Sequence, residues 1–287
     1  MNTERWETLY VAPAISAALD ALAECGSAGA PLAGGTWIMR SPIRHESFKA
    51  RYIALSKIPE LRTITNNTGA LEIGAAVTHA ELAAALADIP GLEVLASAAG
   101  RSANPAIRAM ATIGGNLAAS DFAAADCVPA LLCLNAKVEI SARGHSEQLD
   151  LEDFLRMRPN LEPGRLLTRI TVPRNARKTA HARLPLRTAG DYPAAIVSLA
   201  VGFDAAGRIE TARIAVGSVE PAARRWKRLE AALLGQPLDP RVAAERAAGL
   251  ADEFLSRQSV DVPAWYRLSV LPSLVRRAAA AALQISG

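Results

Sequence analysis

The chain has 287 residues, about twice the usual length of one domain, which predicts one large domain or two moderate ones. Hydrophobic residues make up 51% of the sequence and charged residues 21%, which excludes a disordered chain and a small disulfide-stapled scaffold. The net charge of +4 is spread thinly, so we expect no nucleic-acid partner. No apolar run approaches the roughly 18 residues of a membrane span, so we expect neither a span nor a secretory leader.

The cysteines and histidines predict neither a disulfide framework nor a metal site. Cys25, Cys127 and Cys133 are odd in number and form no CxxC pair, which favours a reducing cytoplasm. An iron–sulfur cluster normally takes four cysteine ligands, so we expect no cluster on this chain. The four histidines are scattered along the sequence and show no metal-ligand spacing.

The first predicted elements alternate between helix and short strands. Residues 14–23 carry apolar side chains at helical spacing, and the short apolar stretch 30–33 leads into Gly34–Gly35. Residues 52–55 and 71–77 are typical of strands.

A helix start follows at Thr78, because Glu81 three residues later completes a capping box. His79 lies in the first turn of this helix, where we expect an exposed side chain. The Ala-rich stretch 91–110 is helical with an end near Asn104–Pro105, and a second Gly-Gly pair lies within 111–117.

Asp126 precedes an apolar helix, and the alternating stretches 137–140 and 166–172 predict two further strands. The basic, turn-rich stretch from Pro173 to Arg183 is predicted to be a linker with a domain boundary.

The second half predicts a small α+β domain. Residues 194–203 and 208–216 are strands joined as a hairpin. Helices are predicted over 222–234, 242–255 and 265–283. The densest basic stretch, residues 224–228 around Trp226, falls in the first of these helices, and we interpret it as a solvated or partner-facing surface.

Two glycine pairs are the candidate anion-binding segments. They lie in Ala33-Gly34-Gly35-Thr36 and in Thr112-Ile113-Gly114-Gly115-Asn116, each after an apolar stretch. Glycine permits positive φ and close backbone approach, so successive N–H groups can point at one anion. Two such nests fit one diphosphate. The spacing matches neither the dinucleotide-binding GxGxxG motif nor the Walker motif.

Five stretches, in order along the chain, resemble the FAD-binding, medium subunits of the molybdenum hydroxylases, the xanthine and carbon monoxide dehydrogenase group. They are PLAGGTWIMR, KIPELRTI, LEIGAAVTHAEL, ATIGGNLA and DCVPALLCLNAKVEI. The resemblance implies an α+β fold. A two-lobed FAD-binding domain of the PCMH type is expected over residues 1–176, with lobes of about 1–56 and 57–176. A C-terminal α+β domain, an antiparallel sheet plus helices, is expected over residues 177–287.

The resemblance also implies FAD-binding residues, and no catalytic residue is predicted. From the two loops these are Ala33, Gly34, Gly35, Thr36, Trp37, Thr112, Gly114, Gly115 and Asn116. Asp126 is expected either to contact sugar or ribityl hydroxyls or to be a helix N-cap. Ser120 is a weaker candidate, because the chain is one residue longer here than the family pattern. Leu166 or Leu167 touches the flavin or packs in the core, and Arg183 stands in for a family lysine near the ring.

By this resemblance the chain carries FAD and passes electrons onward to NAD, oxygen or a carrier. A large molybdenum-cofactor subunit and a small subunit with [2Fe-2S] clusters are the expected partners, as a dimer of heterotrimers in the cytoplasm. Two alternatives remain open at this point. The chain is a self-sufficient flavin oxidase or reductase, or it is a nucleotide-binding assembly protein without turnover.

Overall fold

The computed structural model describes residues 8–175, 177–186 and 192–284. The strands are β1 (Leu9–Val11), β2 (Gly29–Leu32), β3 (Arg51–Ala54), β4 (Ile64–Asn66), β5 (Ala70–Gly74), β6 (Lys137–Ala142), β7 (His145–Asp150), β8 (Leu166–Pro173), β9 (Lys178–Pro185), β10 (Pro193–Phe203), β11 (Ile209–Gly217) and β12 (Arg224–Arg225). The α-helices are α1 (Ile15–Cys25), α2 (His79–Ala85), α3 (Glu93–Arg101), α4 (Pro105–Met110), α5 (Ile113–Ala118), α6 (Cys127–Cys133), α7 (Leu151–Met157), α8 (Lys227–Leu233), α9 (Pro240–Ala248), α10 (Ala264–Ser269) and α11 (Leu271–Gln284).

The first sheet is small and parallel, with strand order β1-β3-β2. Helix α1 turns Ala18 and Leu22 toward it, and these side chains pack with Ile53 in a buried apolar cluster. Strand β2 ends at Leu32, so the first glycine pair leaves this sheet at the carboxyl end of a parallel strand.

The second sheet has the order β4-β5-β8-β6-β7, and its neighbouring strands are antiparallel. Leu71, Val138 and Ile170 come from its three central strands and pack in the largest buried cluster of the described residues. All seven side chains of α6 are buried in or beside this cluster. The helix that begins after Asp126 is therefore held rigidly against the sheet.

The third sheet has the order β12-β11-β10-β9 and is antiparallel. Helices α8, α9 and α11 contribute buried side chains such as Leu229, Ala243 and Leu274 to its core. The predicted α+β class and the hairpin of β10 with β11 are confirmed. None of the helices in the described ranges is long and apolar enough to span a bilayer.

Two sequence predictions about the second half are wrong. The stretch from Pro173 to Arg183 is not a linker, because β9 begins at Lys178 and pairs with β10. The basic stretch is not one helical face, because Arg224 and Arg225 form the edge strand β12 and Trp226 is fully buried. The boundary predicted at residue 176 lies outside the described residues.

The basic stretch is also neutralised within the chain. Arg224 pairs with two glutamates, of which Glu220 is 2.7 Å from its Nε, and Arg225 pairs with Glu230 and Glu152. Lys227 Nζ lies 3.2 Å from Glu152. These charges support intramolecular packing rather than a free basic surface.

Candidate functional site

A cleft of about 680 Å³ lies where the first glycine loop, α5 and the start of β8 meet. Every predicted site residue except Ser120 lines it. From the sequence prediction these are Ala33, Gly34, Gly35, Thr36, Trp37, Thr112, Gly114, Gly115, Asn116, Asp126, Leu166 and Arg183. Ser120 is exposed in the turn after α5 and does not line the cleft. Both Leu166 and Leu167 are buried and line the cleft, so core packing and contact with a ligand coexist there.

The first glycine loop presents free backbone donors to the cleft. Gly35 has φ +70°, a backbone conformation that favours glycine. Within the described residues, the N–H groups of Gly34, Gly35 and Thr36 donate to no protein acceptor. Three adjacent unsatisfied donors at the wall of a cleft are the arrangement that an anion nest requires.

Gly34 is required by close packing rather than by its dihedral angles. A Cβ built on Gly34 overlaps the carbonyl oxygen of Met110, whose residue ends α4 just before the second loop. The two glycine loops therefore approach each other backbone to backbone. This contact is what brings two segments about 80 residues apart in sequence to one cleft.

The second glycine pair is not a loop nest, which corrects the sequence prediction. Gly114 and Gly115 lie in the first turn of α5, with Thr112 at its N-cap. The Gly114 N–H donates to the Ala75 carbonyl at 2.8 Å, and the Gly115 N–H donates to Thr112 Oγ1 at 3.1 Å. Asn116 N donates to the Thr112 carbonyl at 2.9 Å. These donors are already satisfied, so this segment shapes the cleft wall instead of supplying N–H groups.

Gly115 differs from Gly34 and Gly114, where an added Cβ overlaps backbone atoms. A Cβ added at Gly115 meets only Thr112 Oγ1, at 3.0 Å, and Gly115 lines the cleft. A Cβ on Gly114 instead lies 2.6 Å from the carbonyl oxygen of Ala75. The space in front of Gly115 is therefore left open for a ligand rather than filled by the protein.

Asn116 supplies a buried acceptor that lacks a partner. Its Oδ1 is fully buried and accepts no hydrogen bond from any described residue. A buried polar atom left in this state costs about 1–3 kcal/mol. Because Asn116 lines the cleft, a ligand hydroxyl or N–H group is the natural donor to it.

Asp126 occupies the N-cap position of α6 but does not act as an N-cap, because its side chain accepts no cap hydrogen bond. It instead forms an ion pair with Arg183, with Nε 2.8 Å from Oδ1. His181 Nε2 lies 3.4 Å from the same oxygen without forming a hydrogen bond to it. The two residues that the resemblance assigned separately to sugar and ring are therefore partners of each other at the cleft wall.

His79 also lines the cleft, and the expectation that it is exposed is wrong. It is 3% exposed, and its Nδ1 lies 2.7 Å from Ser102 Oγ. Ser102 Oγ donates to the Ala99 carbonyl, so His79 Nδ1 is assigned as the donor to Ser102. Burial lowers the pKa of His79 from 6.5 to about 4, against a smaller opposite effect of Asp126. The imidazole is neutral at pH 7.

The His79 pKa gives a stability prediction. The unfolded chain binds a proton with the usual pKa near 6.5 and the folded chain with a pKa near 4, so stability falls as pH drops through this window. Between pH 7.5 and pH 5 we expect a loss of about 2 kcal/mol that His79→Gln removes. Urea unfolding of both proteins in the FAD-free state measures it. Parallel pH curves would contradict the neutral, buried histidine.

Three aromatic side chains form a wall of the cleft that sequence reasoning found only in part. The Trp37 ring lies 4.5 Å from that of Phe122, and Phe122 lies 5.2 Å from Tyr192. Burial raises the pKa of the Tyr192 hydroxyl above 10. In the sequence, Phe122 is distinguished only by its position in the segment that is one residue longer than the family pattern.

The described residues show no constellation for metal-dependent chemistry. No group of three or more His, Cys, Asp or Glu side chains within them is placed to hold a metal ion. The polar groups at the cleft include an ion pair, a neutral histidine, the Asn116 amide and backbone donors. Such a lining binds and orients a large ligand with an anionic part.

Two family models together match almost the whole chain. The family described as the FAD binding domain in molybdopterin dehydrogenase matches residues 4–175, and the CO dehydrogenase flavoprotein C-terminal domain matches residues 180–282. The Cu,Mo-CO dehydrogenase structure has a chain that superposes with a TM-score of 0.86 at 27% identity, covering 96% of each chain. A chain of quinoline 2-oxidoreductase from Pseudomonas putida 86 has the same TM-score and coverage at 25% identity.

Two curated relatives cover almost all of the chain. The carbon monoxide dehydrogenase medium chain of Afipia carboxidovorans is 30% identical over 276 residues, 92% of each protein. The 6-hydroxypseudooxynicotine dehydrogenase complex subunit alpha of Paenarthrobacter nicotinovorans is 29% identical, over 95% of this chain and 93% of that protein.

The fold and the cleft define a flavoprotein subunit of an oxidoreductase. The chain belongs to the family of FAD-binding, medium subunits of molybdenum hydroxylases. FAD is its cofactor, and the cleft residues fit that group. A diphosphate matches the free donors of the first loop, and ligand hydroxyls match the unpartnered Asn116 Oδ1.

Proposed function

We propose that this chain transfers electrons within a molybdenum-containing dehydrogenase. It accepts them from iron–sulfur clusters on a partner subunit and passes them through FAD to an external acceptor. The observation that carries the proposal is the cleft, which combines free anion donors with a lining that offers no metal site within the described residues. Relatives named as the medium subunit of nicotine 6-hydroxylase and the medium chain of carbon monoxide dehydrogenase support it.

In this proposal different cleft residues bind different parts of FAD. The N–H groups of Gly34, Gly35 and Thr36 hold the diphosphate, and the open space at Gly115 admits it. Asn116 accepts a hydrogen bond from a ribityl or sugar hydroxyl. Bound FAD supplies reversible uptake of electrons, while the protein supplies binding, orientation and charge.

Arg183 is the proposed cation near the flavin in place of the family lysine. Its guanidinium lines the cleft and is 11% exposed, with Asp126 as its partner. The carboxylate holds Arg183 in one orientation, because a bidentate contact fixes the planar guanidinium. Ser120 has no proposed role, since it lies away from the cleft.

We propose that the partners are a large molybdenum-cofactor subunit and a small iron–sulfur subunit, assembled as a dimer of heterotrimers in the cytoplasm. Three cysteines are too few for a cluster with four cysteine ligands, so the clusters belong to another chain. All three are free thiols, as a reducing compartment favours. The proposed domains are 1–176, with lobes of about 1–56 and 57–176, and 177–287.

The test compares the purified chain with the assembled complex. The chain alone is expected to hold one non-covalent FAD, released into the supernatant by acid, and to accept electrons from artificial donors. It is expected to oxidise no organic substrate until the partner subunits are added. Stopped-flow mixing with substrate, with and without the partner subunits, measures this. Flavin reduction is followed as the loss of flavin absorbance at roughly 450 nm.

Two outcomes would replace the proposal. Turnover of an organic substrate by the metal-free chain, at roughly 10 per second, would establish a self-sufficient flavin enzyme. Bound flavin that no donor reduces, in the complex as well as in the chain, would establish a nucleotide-binding assembly protein.

A further inference from the structure

A hydrogen bond joins the segments that follow the two glycine pairs. The Trp37 indole Nε1–H donates to Asp121 Oδ1 at 2.8 Å across 84 residues of sequence. Asp121 lies between α5 and α6, and its other oxygen is 3.3 Å from Arg44 Nε. We call these three side chains the Trp37 clasp.

Arg44 fixes Trp37 from a second direction. Its NH1 donates to the Trp37 carbonyl at 3.0 Å, and its guanidinium lies 4.0 Å from the centre of the indole ring. A cation at this distance from an aromatic ring is attracted to its face. Glu46 accepts from Arg44 at 2.6 Å and holds the guanidinium in place. The indole orientation is therefore set by a hydrogen bond, a backbone contact and a ring contact.

Asp121 lies outside the cleft lining and hydrogen-bonds to a residue of that lining, Trp37. The Asp121 side chain is 47% exposed, and Arg44 does not line the cleft either. Trp37 does line the cleft, where its ring contacts Phe122. Removing the Asp121 carboxylate therefore removes no group that lines the cleft, and it releases the contacts that hold Trp37 and Arg44.

The clasp also restrains the loop that presents the free N–H groups. Thr36 immediately precedes Trp37, and Gly35 before it has a positive φ that glycine adopts at an entropic cost. Anchoring the residue after these donors keeps them in the conformation that binds a diphosphate. Restraining a binding loop in advance lowers the entropy lost when the ligand binds.

We propose that Asp121 is a positioning residue that holds Trp37 in the cleft wall and thereby slows the release of FAD. The inference rests on FAD binding in the cleft. Asp121, which would help to retain FAD, comes from the segment that is one residue longer than the family pattern. It assigns a function to a side chain outside the cleft.

The expected effects are graded by what each substitution removes. Asp121→Asn keeps an acceptor for the indole N–H but loses the charge that pairs with Arg44, so FAD release is expected to be about threefold faster. Asp121→Ala removes both contacts and is expected to release FAD about tenfold faster, as the loss of one hydrogen bond and one exposed ion pair implies. Trp37→Phe removes the indole donor, so a further Asp121→Ala change is expected to speed release by only about threefold, the part that the Arg44 pair contributes.

The experiment uses the FAD-loaded full chain. Release is followed by flavin fluorescence after rapid dilution, and the shape of the visible absorption band of bound FAD reports the ring environment. Asp20→Ala is the matched control, because Asp20 forms an exposed ion pair with Arg143 at 2.6 Å that also joins distant segments but lies outside the cleft lining.

The proposal requires wild type and Asp20→Ala to release FAD equally slowly, with Asp121→Asn faster and Asp121→Ala fastest. Equal rates for Asp121→Ala and wild type would overturn it, as would equal acceleration by Asp20→Ala. If Asp121→Ala is insoluble, the isosteric Asn variant decides, and a wild-type rate there overturns the clasp. A wild-type chain that binds no FAD would instead overturn the cofactor's place in the cleft.

Discussion

Gly115→Val is expected to abolish FAD retention while the chain stays folded. The backbone of Gly115 is helical, the added Cβ lies 3.0 Å from Thr112 Oγ1, and the residue lines the cleft. Each hydrogen bond to a charged group contributes roughly 1.5–3 kcal/mol, so displacing the diphosphate from two donors weakens binding about 10²- to 10⁴-fold. Titration of the apoprotein with FAD, followed by flavin fluorescence, measures the loss.

The stability cost of the same change is small. Valine has a higher helix propensity than glycine, which offsets part of the cost of the 3.0 Å contact with Thr112 Oγ1. Gly249→Val is the matched control, because Gly249 has helix-like dihedral angles, lies outside the cleft lining, and an added Cβ there makes only ordinary contacts, at 3.8 and 3.9 Å. Equal FAD affinity for Gly115→Val and Gly249→Val would show that the ligand does not occupy the space before Gly115.

The sequence predicts those features of the site that depend on residues close together in the chain. The capping box of Thr78 and Glu81 is present with both of its hydrogen bonds, because it depends on residues three apart. The two glycine pairs were placed in one site because their motifs resemble a family. Their different roles were not predictable, since these depend on the Met110 and Ala75 carbonyls, which only the tertiary fold brings near.

Long-range packing decided the predictions that were wrong. The first turn that holds His79 is of a kind that is usually exposed. Ser102, directly after α3, and Cys127, the first residue of α6, nevertheless enclose it, and the periodicity of α2 carries no information about either. Residues 224–228 have a helical pattern, but Trp226 is buried against Phe254, 4.9 Å between ring centres, and the chain enters an edge strand first. In both cases a partner more than 20 residues away overrides the local pattern.

Gly34→Ala is expected to affect stability where Gly115→Val affects ligand binding. Gly34 is needed for backbone packing, whereas Gly115 leaves space for the ligand. Gly34→Ala places a Cβ against the backbone at Met110, and backbone cannot rotate aside as a side chain does. The two glycine segments must separate, and overpacking of this kind costs about 1–3 kcal/mol or more of unfolding free energy. Urea unfolding of the FAD-free chain is expected to show that loss.

The FAD-free state is the informative one, because a ligand that binds the native state adds its own stabilisation. Gly115→Val is the control here, since it is expected to leave the apoprotein within about 1 kcal/mol of wild type. The two substitutions then give opposite patterns: Gly34→Ala lowers apoprotein stability, and Gly115→Val lowers FAD affinity alone. An apoprotein of wild-type stability in Gly34→Ala would mean that the loops do not pack backbone to backbone, and that their approach depends on the cofactor between them.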